Sequence, residues 1–263
     1  MPIAACNGVA LHYERVGDGP RLLYCNGSGT TLDSTRPLLD KLAAQFELLA
    51  FDYRGMGRSA PVTEPYSMAD VAADIAALLD AVGWGRTALA GLSYGGMAAQ
   101  EFAVTFPDRL DRLALMATSP GGAFASYPLE TLADLPALER GVRSLKLADR
   151  RWTPEWFAAH PDDAALVAGF AADMPTEETA AQAQGRLFQL QARKDHDVLD
   201  RLHRVTCPTF VGSGLYDDIA PVTNGQAIVD RITDATLHLY ESGHLFLLQD
   251  PAAWPGIAAF LGA

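Results

Sequence analysis

The sequence predicts an α/β protein with a mostly parallel, doubly wound sheet and an inserted helical segment. Three observations predict this class. Short apolar segments alternate with helix-like segments over residues 1–120 and again over 204–263. The apolar segments lack the polar alternation of a strand with one solvated face, which is typical of strands covered by helices on both sides. Between residues 121 and 203 the alternation stops.

Composition agrees with a globular protein and excludes several other classes. The 263 residues are 49% hydrophobic and 20% charged, unlike a disordered or collagen-like chain. Charged residues interrupt every apolar stretch before the roughly 18 residues that a membrane helix needs. The first ten residues lack the basic start of a secretory signal. We therefore expect a cytoplasmic protein without a membrane partner.

Charge and cysteine content exclude further partners. The balance of 20 basic and 32 acidic residues gives a net charge of -12, which repels nucleic-acid phosphates. Cys6, Cys25 and Cys207 are odd in number and form no C-x-x-C pair, so neither a disulfide framework nor a zinc site is predicted. We expect no nucleic-acid partner and no metal.

Local signals place the elements of the first 120 residues. Asn7-Gly8 predicts a hairpin turn between strands at 3–6 and 9–15. A helix is predicted to begin after Ser67, where Asp70 completes a capping box, and to end at Gly83. Further strands are predicted at 21–25, 46–51, 87–90 and 113–117, and further helices at 35–45 and from 96 to Phe106.

The second half divides into an insertion and a return to the sheet. Residues 121–203 are rich in Ala, Glu, Asp, Arg and Trp without a convincing strand, so we predict a helical insertion there. Strands at 208–212 and 235–241 and helices at 223–232 and 251–261 follow. The predicted organisation is therefore one core, 1–120 and 204–263, interrupted by a helical segment at 121–203.

The sharpest chemical motif is Gly91-Leu92-Ser93-Tyr94-Gly95, which fits G-x-S-x-G between an apolar strand and a helix. A tight strand-to-helix turn strains the backbone and brings main chains together, so only glycine fits at its flanks. The turn exposes the serine hydroxyl and directs the start of the helix at developing negative charge. Ser93 is the candidate nucleophile; the alternative is an ordinary serine in a glycine-rich turn.

A serine nucleophile needs a base and a group that orients the base. His244 follows the last predicted strand, at the edge where ligands meet parallel sheets. The other histidines lie in the hairpin, in or beside the insertion, or within a strand. The alternative for His244 is a surface loop histidine. For the acid, Asp217 and Asp218 both follow the strand at 208–212, and either one is also suited to a turn or a helix cap.

The chain resembles the α/β-hydrolase superfamily over nearly its full length. Ser93, an aspartate and His244 follow the chain order of its triad. The segment from Asp52 to Ser59 resembles the family's D-x-R-G-x-G-x-S motif, and Cys207-Pro208-Thr209 resembles the entry to its acid strand. The segment from Gly214 to Pro221 resembles its acid loop, in which the catalytic aspartate stands four residues before proline; that spacing favours Asp217 over Asp218.

The resemblance also implies an oxyanion hole formed by two backbone N–H groups, those of Tyr94 and Ser28. Here the chain departs from the pattern, because Asn26-Gly27 stands where the family usually has His-Gly. We expect the Asn26 side chain to tie this loop by hydrogen bonds, which would preserve the hole. A simple glycine turn is the alternative.

Similar proteins carry a helical lid in the position of residues 121–203. Candidate lining residues are its aromatic and methionine side chains, with packing inside the lid as the alternative: Trp152, Trp156, Phe157, Phe170, Met174 and Phe188. Candidate partners for a substrate carboxylate are its arginines, with solvated helix faces as the alternative: Arg140, Arg143, Arg150, Arg151 and Arg186.

The expected activity is that of a cofactor-free serine hydrolase acting on a small-molecule carboxylic ester or lactone through an acyl-enzyme. The nucleophile region and the lid resemble those of small carboxylesterases and enol-lactone hydrolases. One alternative keeps the triad for C–C bond hydrolysis or for perhydrolase or haloperoxidase chemistry. A second is a ligand-binding receptor with residual turnover. The sequence predicts no oligomeric state.

Overall fold

The structure is a computed structural model that describes residues 2–172 and 179–263; Met174 lies outside them. Its strands are β1 Ile3–Cys6, β2 Val9–Val16, β3 Arg21–Cys25, β4 Glu47–Phe51, β5 Thr87–Leu92, β6 Leu110–Met116, β7 Thr209–Gly214 and β8 Ala235–Tyr240. The α-helices are α1 Arg36–Ala43, α2 Met68–Ala81, α3 Tyr94–Thr105, α4 Ala137–Ala148, α5 Pro154–Ala159, α6 Pro161–Ala172, α7 Ala180–Lys194, α8 Val222–Val229, α9 Phe246–Gln249 and α10 Ala253–Leu261.

The strands form one sheet in the order β1-β2-β4-β3-β5-β6-β7-β8. The pairs from β4 through β8 are parallel, whereas β1 with β2 and β2 with β4 are antiparallel. Because parallel strands end at the same edge, the loops after β3, β5, β7 and β8 all leave from one side of the sheet. This architecture confirms the predicted fold class.

Helices cover both faces of the sheet, and each face has its own apolar core. One core joins α2 and α3 to the sheet and includes Val71, Leu78 and Phe102. The other joins α1 and α10 to the opposite face and includes Leu42 and Ile257. The central strands are buried on both sides, which explains why their sequences lack polar alternation.

Local signals placed several elements accurately. In the hairpin Cys6 pairs with Val9, and Asn7 and Gly8 have φ values of 44° and 80°, as a type I′ turn requires. The Ser67 hydroxyl accepts the Asp70 N–H, and the Asp70 carboxylate accepts the Ser67 N–H, so the predicted capping box forms at the start of α2.

Element ends differ from the predictions by a few residues. Strand β6 begins at Leu110 rather than 113, because Leu110 pairs with Thr87 of β5 although exposed Asp111 follows it. The last helix begins at Ala253 rather than 251, and the short helix α9 precedes it unpredicted. Sheet pairing and loop packing decide these ends, and neither is encoded in the local pattern.

The segment between β6 and β7 carries four α-helices in its described part, α4 to α7. Ala148 and Trp152 pack with Ile219, which follows β7, so α4 and the turn after it rest on the core. None of the helices in the described ranges is both long and apolar enough to cross a membrane.

The Asp52-to-Ser59 segment is organised around the buried carboxylate of Asp52. The buried Asp52 carboxylate bonds the His12 ring at 2.8 Å and accepts the N–H groups of Leu32 at 2.8 Å and Arg58 at 3.0 Å. A Cβ on Gly57 would lie 2.4 Å from that carboxyl group, so only glycine fits there. Asp52 therefore holds together three segments of chain beside the sheet.

Candidate active site

Ser93 lies on the turn between β5 and α3, with φ 55° and ψ -115°. This conformation is rare for a residue with a side chain and costs about 1–3 kcal/mol. Two hydrogen bonds hold it: the Ser93 N–H donates to Met116 O at 2.8 Å, and Thr118 Oγ1 donates to Ser93 O at 2.7 Å. The neighbouring strand β6 and its extension therefore stabilise the strained residue.

Close backbone packing explains both flanking glycines. A Cβ on Gly91 would lie 2.3 Å from Gly95 O, and a Cβ on Gly95 would lie 2.0 Å from Cys25 O. Either side chain would force the turn apart or push α3 away from β3. The motif therefore forms the tight turn between strand and helix that the sequence predicts.

His244 and Asp217 form a buried pair on the loops after β8 and β7. The Nδ1 atom of His244 lies 2.7 Å from Asp217 Oδ2, and the other oxygen of Asp217 accepts the N–H groups of Ile219 and Ala220, each at 2.8 Å. An ionised carboxylate accepts only, so Nδ1 carries the proton and Nε2 is left as the basic nitrogen.

The structure distinguishes between the two adjacent aspartates. Asp218 is exposed and lies 3.3 Å from Arg150, whereas Asp217 is buried against His244. Among the other histidines, His12 bonds Asp52 and His238 stacks on Phe210 with ring centroids 4.1 Å apart.

The loop after β3 lies beside the nucleophile. A Cβ on Gly27 would lie 3.9 Å from Ser93 Cβ, so the residue that precedes Ser28 lies beside the nucleophile candidate. Tyr94 is the first residue of α3, where N–H groups have no acceptor within the helix. The two N–H groups proposed from the sequence therefore lie on segments that flank Ser93.

The expected role of Asn26 is wrong. Neither polar atom of its buried side chain has a hydrogen-bond partner within residues 2–172 and 179–263. Other groups tie the loop: Tyr53 Oη donates to Asn26 O at 3.1 Å, and Thr30 Oγ1 donates to Gly27 O at 2.8 Å. The main chain of this loop, rather than the asparagine amide, provides its attachment points.

Gln189 of α7 contacts the loop after β3, and the sequence does not predict this contact. Its buried Oε1 accepts the Gly29 N–H at 2.7 Å, so the helical insertion contacts the loop after β3. One turn earlier, a Cβ on Gly185 would lie 2.0 Å from Gly55 O, which allows α7 to approach the core this closely. Because Gln189 and Gly29 are 160 residues apart, no local pattern signals the contact.

The predicted insertion residues have varied surroundings. Trp156 Nε1 donates to Asp163 at 2.7 Å, and Phe157 packs with Trp152. Of the arginines, Arg143 pairs with Glu139 and Arg140 donates to Leu135 O. Phe170 is half-buried in α6, and Phe188 packs against the core; Arg186 is also half-buried.

Ser93 and His244 are largely enclosed, with 8% and 7% of their surface exposed. They lie at the same sheet edge, but no hydrogen bond joins Ser93 Oγ to the imidazole in the described part of the chain. Such catalytic contacts often tighten only with substrate bound. No cluster of three or more His, Cys, Asp or Glu side chains suited to a metal occurs in those residues.

Comparison with known proteins agrees with this geometry. The family described as the α/β hydrolase fold matches residues 20–251, and the chain belongs to that family. It is 30% identical to a poly(3-hydroxyalkanoate) depolymerase from Ectopseudomonas oleovorans over 91% of this chain and 83% of that protein.

Two further relatives extend the comparison. The chain is 27% identical to 3-oxoadipate enol-lactonase 2 from Acinetobacter baylyi over 94% of this chain and 90% of that protein. Among solved structures, a hydrolase from Pseudomonas aeruginosa PA01 superimposes with a TM-score of 0.82 at 28% identity, covering 100% of this chain and 98% of that one.

Proposed function

We propose that the protein is a serine hydrolase that cleaves a small carboxylic ester or lactone through an acyl-enzyme. The observation that carries this proposal is the buried 2.7 Å pair of His244 and Asp217 at the sheet edge where the strained Ser93 turn lies. The names of the depolymerase and the enol-lactonase, which denote hydrolysis of an ester polymer and of a lactone, add support.

In the proposed first step, Ser93 Oγ attacks the substrate carbonyl while His244 Nε2 accepts its proton. Asp217 fixes the tautomer of the ring and stabilises the imidazolium. The N–H groups of Tyr94 and Ser28 bind the oxyanion of the tetrahedral intermediate. The intermediate collapses when His244 gives the proton to the leaving oxygen, which leaves the acyl group on Ser93.

The second step reverses these roles. His244 takes a proton from water, the resulting hydroxide attacks the acyl carbonyl, and a second tetrahedral intermediate forms in the same hole. Its collapse returns the proton to Ser93 Oγ and releases the carboxylic acid.

We also propose that residues 121–203 form a lid over this site. Its support is the contact between Gln189 of α7 and Gly29, which belongs to the same loop as Gly27 beside Ser93, together with the enclosure of Ser93. A lid excludes water from the oxyanion, which strengthens the electrostatic interactions there.

The test is hydrolysis of a p-nitrophenyl ester series and of a simple lactone by wild type and Ser93→Ala, with burst and steady state recorded separately. Sustained wild-type turnover that vanishes in Ser93→Ala supports the proposal. A burst without turnover would favour a binding protein with residual reactivity. Turnover of a dienoic diketone but of no ester would favour C–C hydrolysis.

A further inference from the structure

A short segment of the insertion lies against the loops that carry both His244 and Asp217. We name this segment, Leu147–Arg151, the bridge segment. The His244 N–H donates to Ala148 O at 2.6 Å, and the Asp218 N–H donates to Leu147 O at 3.1 Å. Two consecutive carbonyls of the insertion therefore bind the backbones of the histidine loop and the acid loop.

Asp149, within the bridge segment, is a completely buried carboxylate. Its Oδ1 accepts the N–H of Arg151 at 3.0 Å and Arg151 Nε at 2.9 Å. Its Oδ2 accepts Arg151 Nη2 at 2.6 Å and Gln249 Nε2 at 2.9 Å. Each oxygen therefore has two donors, which offsets the cost of removing the charge from water.

Gln249 transmits this arrangement to the histidine loop. While its Nε2 donates to Asp149, its Oε1 accepts the N–H of Gly243 at 3.0 Å. Gly243 immediately precedes His244, so the two contacts fix the amide orientation of Gln249 and the backbone N–H just before the imidazole. A chain of hydrogen bonds thus runs from the buried carboxylate to the histidine loop.

Packing leaves this loop little freedom. A Cβ on Gly243 would lie 2.1 Å from Ala148 O and 2.6 Å from Asp149 Cβ, so the bridge segment and the histidine loop are in direct contact. Arg151 adds a second attachment, because its Nη1 donates to Glu241 O at 2.9 Å. A change in how Asp149 is held would therefore move the main chain that carries His244.

We propose that Asp149 is a positioning residue for His244. Acting through Gln249 and the Ala148 carbonyl, it sets the imidazole at the distance from Asp217 that keeps Nδ1 protonated and Nε2 directed at the nucleophile. This inference rests on the proposed role of His244 as base. It also gives the insertion a part in the chemistry beyond covering the site.

Two substitutions break the chain of hydrogen bonds at different points. In Asp149→Asn the new NH2 group faces two donors whichever way the amide turns, because both carboxylate oxygens already accept two. Gln249→Met removes the contact to Gly243 and leaves the ion pair of Asp149 with Arg151 in place. Asp163→Asn is the matched control, because this insertion carboxylate accepts Trp156 Nε1 at 2.7 Å and Trp152 Nε1 at 3.3 Å, and both donors belong to the insertion.

We expect Asp149→Asn and Gln249→Met each to lower kcat about tenfold to a hundredfold, with KM within about twofold, because a small displacement of a catalytic group reduces the rate strongly. The double variant should lower kcat by less than the product of the two single effects, because both substitutions break the same chain of hydrogen bonds. Asp163→Asn should keep wild-type kcat. Thermal unfolding of each variant verifies that it is folded.

Proton NMR gives a readout that does not depend on turnover. The proton between His244 Nδ1 and Asp217 should give a downfield resonance in wild type and in Asp163→Asn, and the resonance should broaden or disappear in folded Asp149→Asn. A folded Asp149→Asn that keeps this resonance and a kcat within twofold of Asp163→Asn would overturn the inference. Because the resonance reports the pair itself, it tests positioning even if the ester substrates prove wrong.

Discussion

His244 Nδ1 lies 2.7 Å from Asp217 Oδ2, while the second oxygen of Asp217 is already engaged by two backbone N–H groups. The carboxylate is therefore held in place by residues that follow it in its own loop, and its other oxygen is directed at the imidazole. This division assigns the ring proton to Nδ1, so Nε2 is the nitrogen that would act as base in the proposed mechanism.

Replacing Asp217 by Asn should lower kcat by about 10³- to 10⁴-fold, because an amide NH2 facing Nδ1 would favour the tautomer with the proton on Nε2. The matched variant is Asp218→Asn, which removes the neighbouring, exposed charge and should keep kcat within about twofold. Steady-state kinetics on one ester compares the two. Equal losses would show that the pair in the structure is not the catalytic one.

Gln189→Met should lower kcat about tenfold with little change in thermal stability, because the Gly29 N–H loses its acceptor and the loop carrying Ser28 is held less firmly. Gln191→Met, an exposed position on the same helix, is the control. Affinity for a phosphonate or boronate that mimics the tetrahedral intermediate should fall in parallel with kcat. If folded Gln189→Met keeps wild-type kcat, the contact between α7 and the loop that carries Ser28 does not contribute to catalysis.

Ser93→Gly should unfold at a higher temperature than Ser93→Ala. Both variants lose the hydroxyl, but only glycine adopts φ 55° and ψ -115° without strain. The expected difference is about 1 kcal/mol in the free energy of unfolding, since relief of strain exceeds the entropy that glycine adds to the unfolded chain. Denaturant titration measures it. If Ser93→Ala is as stable as Ser93→Gly, residue 93 carries no backbone strain in the alanine variant.

Stability should decrease in mild acid because of His196. Burial, with the charges of Arg201 and Arg193, lowers its pKa from 6.5 to about 3, and neither ring nitrogen has a partner among residues 2–172 and 179–263. The unfolded chain binds this proton below about pH 6.5 and the folded chain does not, so stability falls as the pH drops from about 6.5 towards 3.

At pH 5, His196 lowers the free energy of unfolding by about 2 kcal/mol relative to neutral pH. His196→Leu should remove it, whereas the exposed control His203→Gln should keep the wild-type dependence. Denaturant titrations at pH 7.5 and pH 5 provide the comparison. The same loss in His196→Leu as in wild type would assign the acid sensitivity to other groups.

Local and long-range interactions explain what could be predicted from the sequence. The Asn7-Gly8 turn, the capping box of Ser67 and the Ser93 turn depend on neighbours within a few residues, and each forms as predicted. The choice of Asp217 over Asp218 depends on the family resemblance, because turn chemistry alone permits either aspartate.

Contacts between distant segments were not predictable. Gln249 is 100 residues from Asp149, and Gln189 is 160 residues from Gly29. Both are amides on helices, with nothing in their sequence surroundings to separate them from exposed glutamines. Asn26 differs from the expectation because its residue type suggests side-chain hydrogen bonding, whereas the loop is tied through the main-chain carbonyls of Asn26 and Gly27.

The most direct test of the proposed mechanism is intact-mass spectrometry of the protein quenched in acid within milliseconds of mixing with a p-nitrophenyl ester. We expect a single added acyl group on the peptide that contains Ser93; it should disappear as substrate is consumed and never form in Ser93→Ala. Sustained ester turnover with the acyl group on another residue, or turnover that persists in Ser93→Ala, would contradict it.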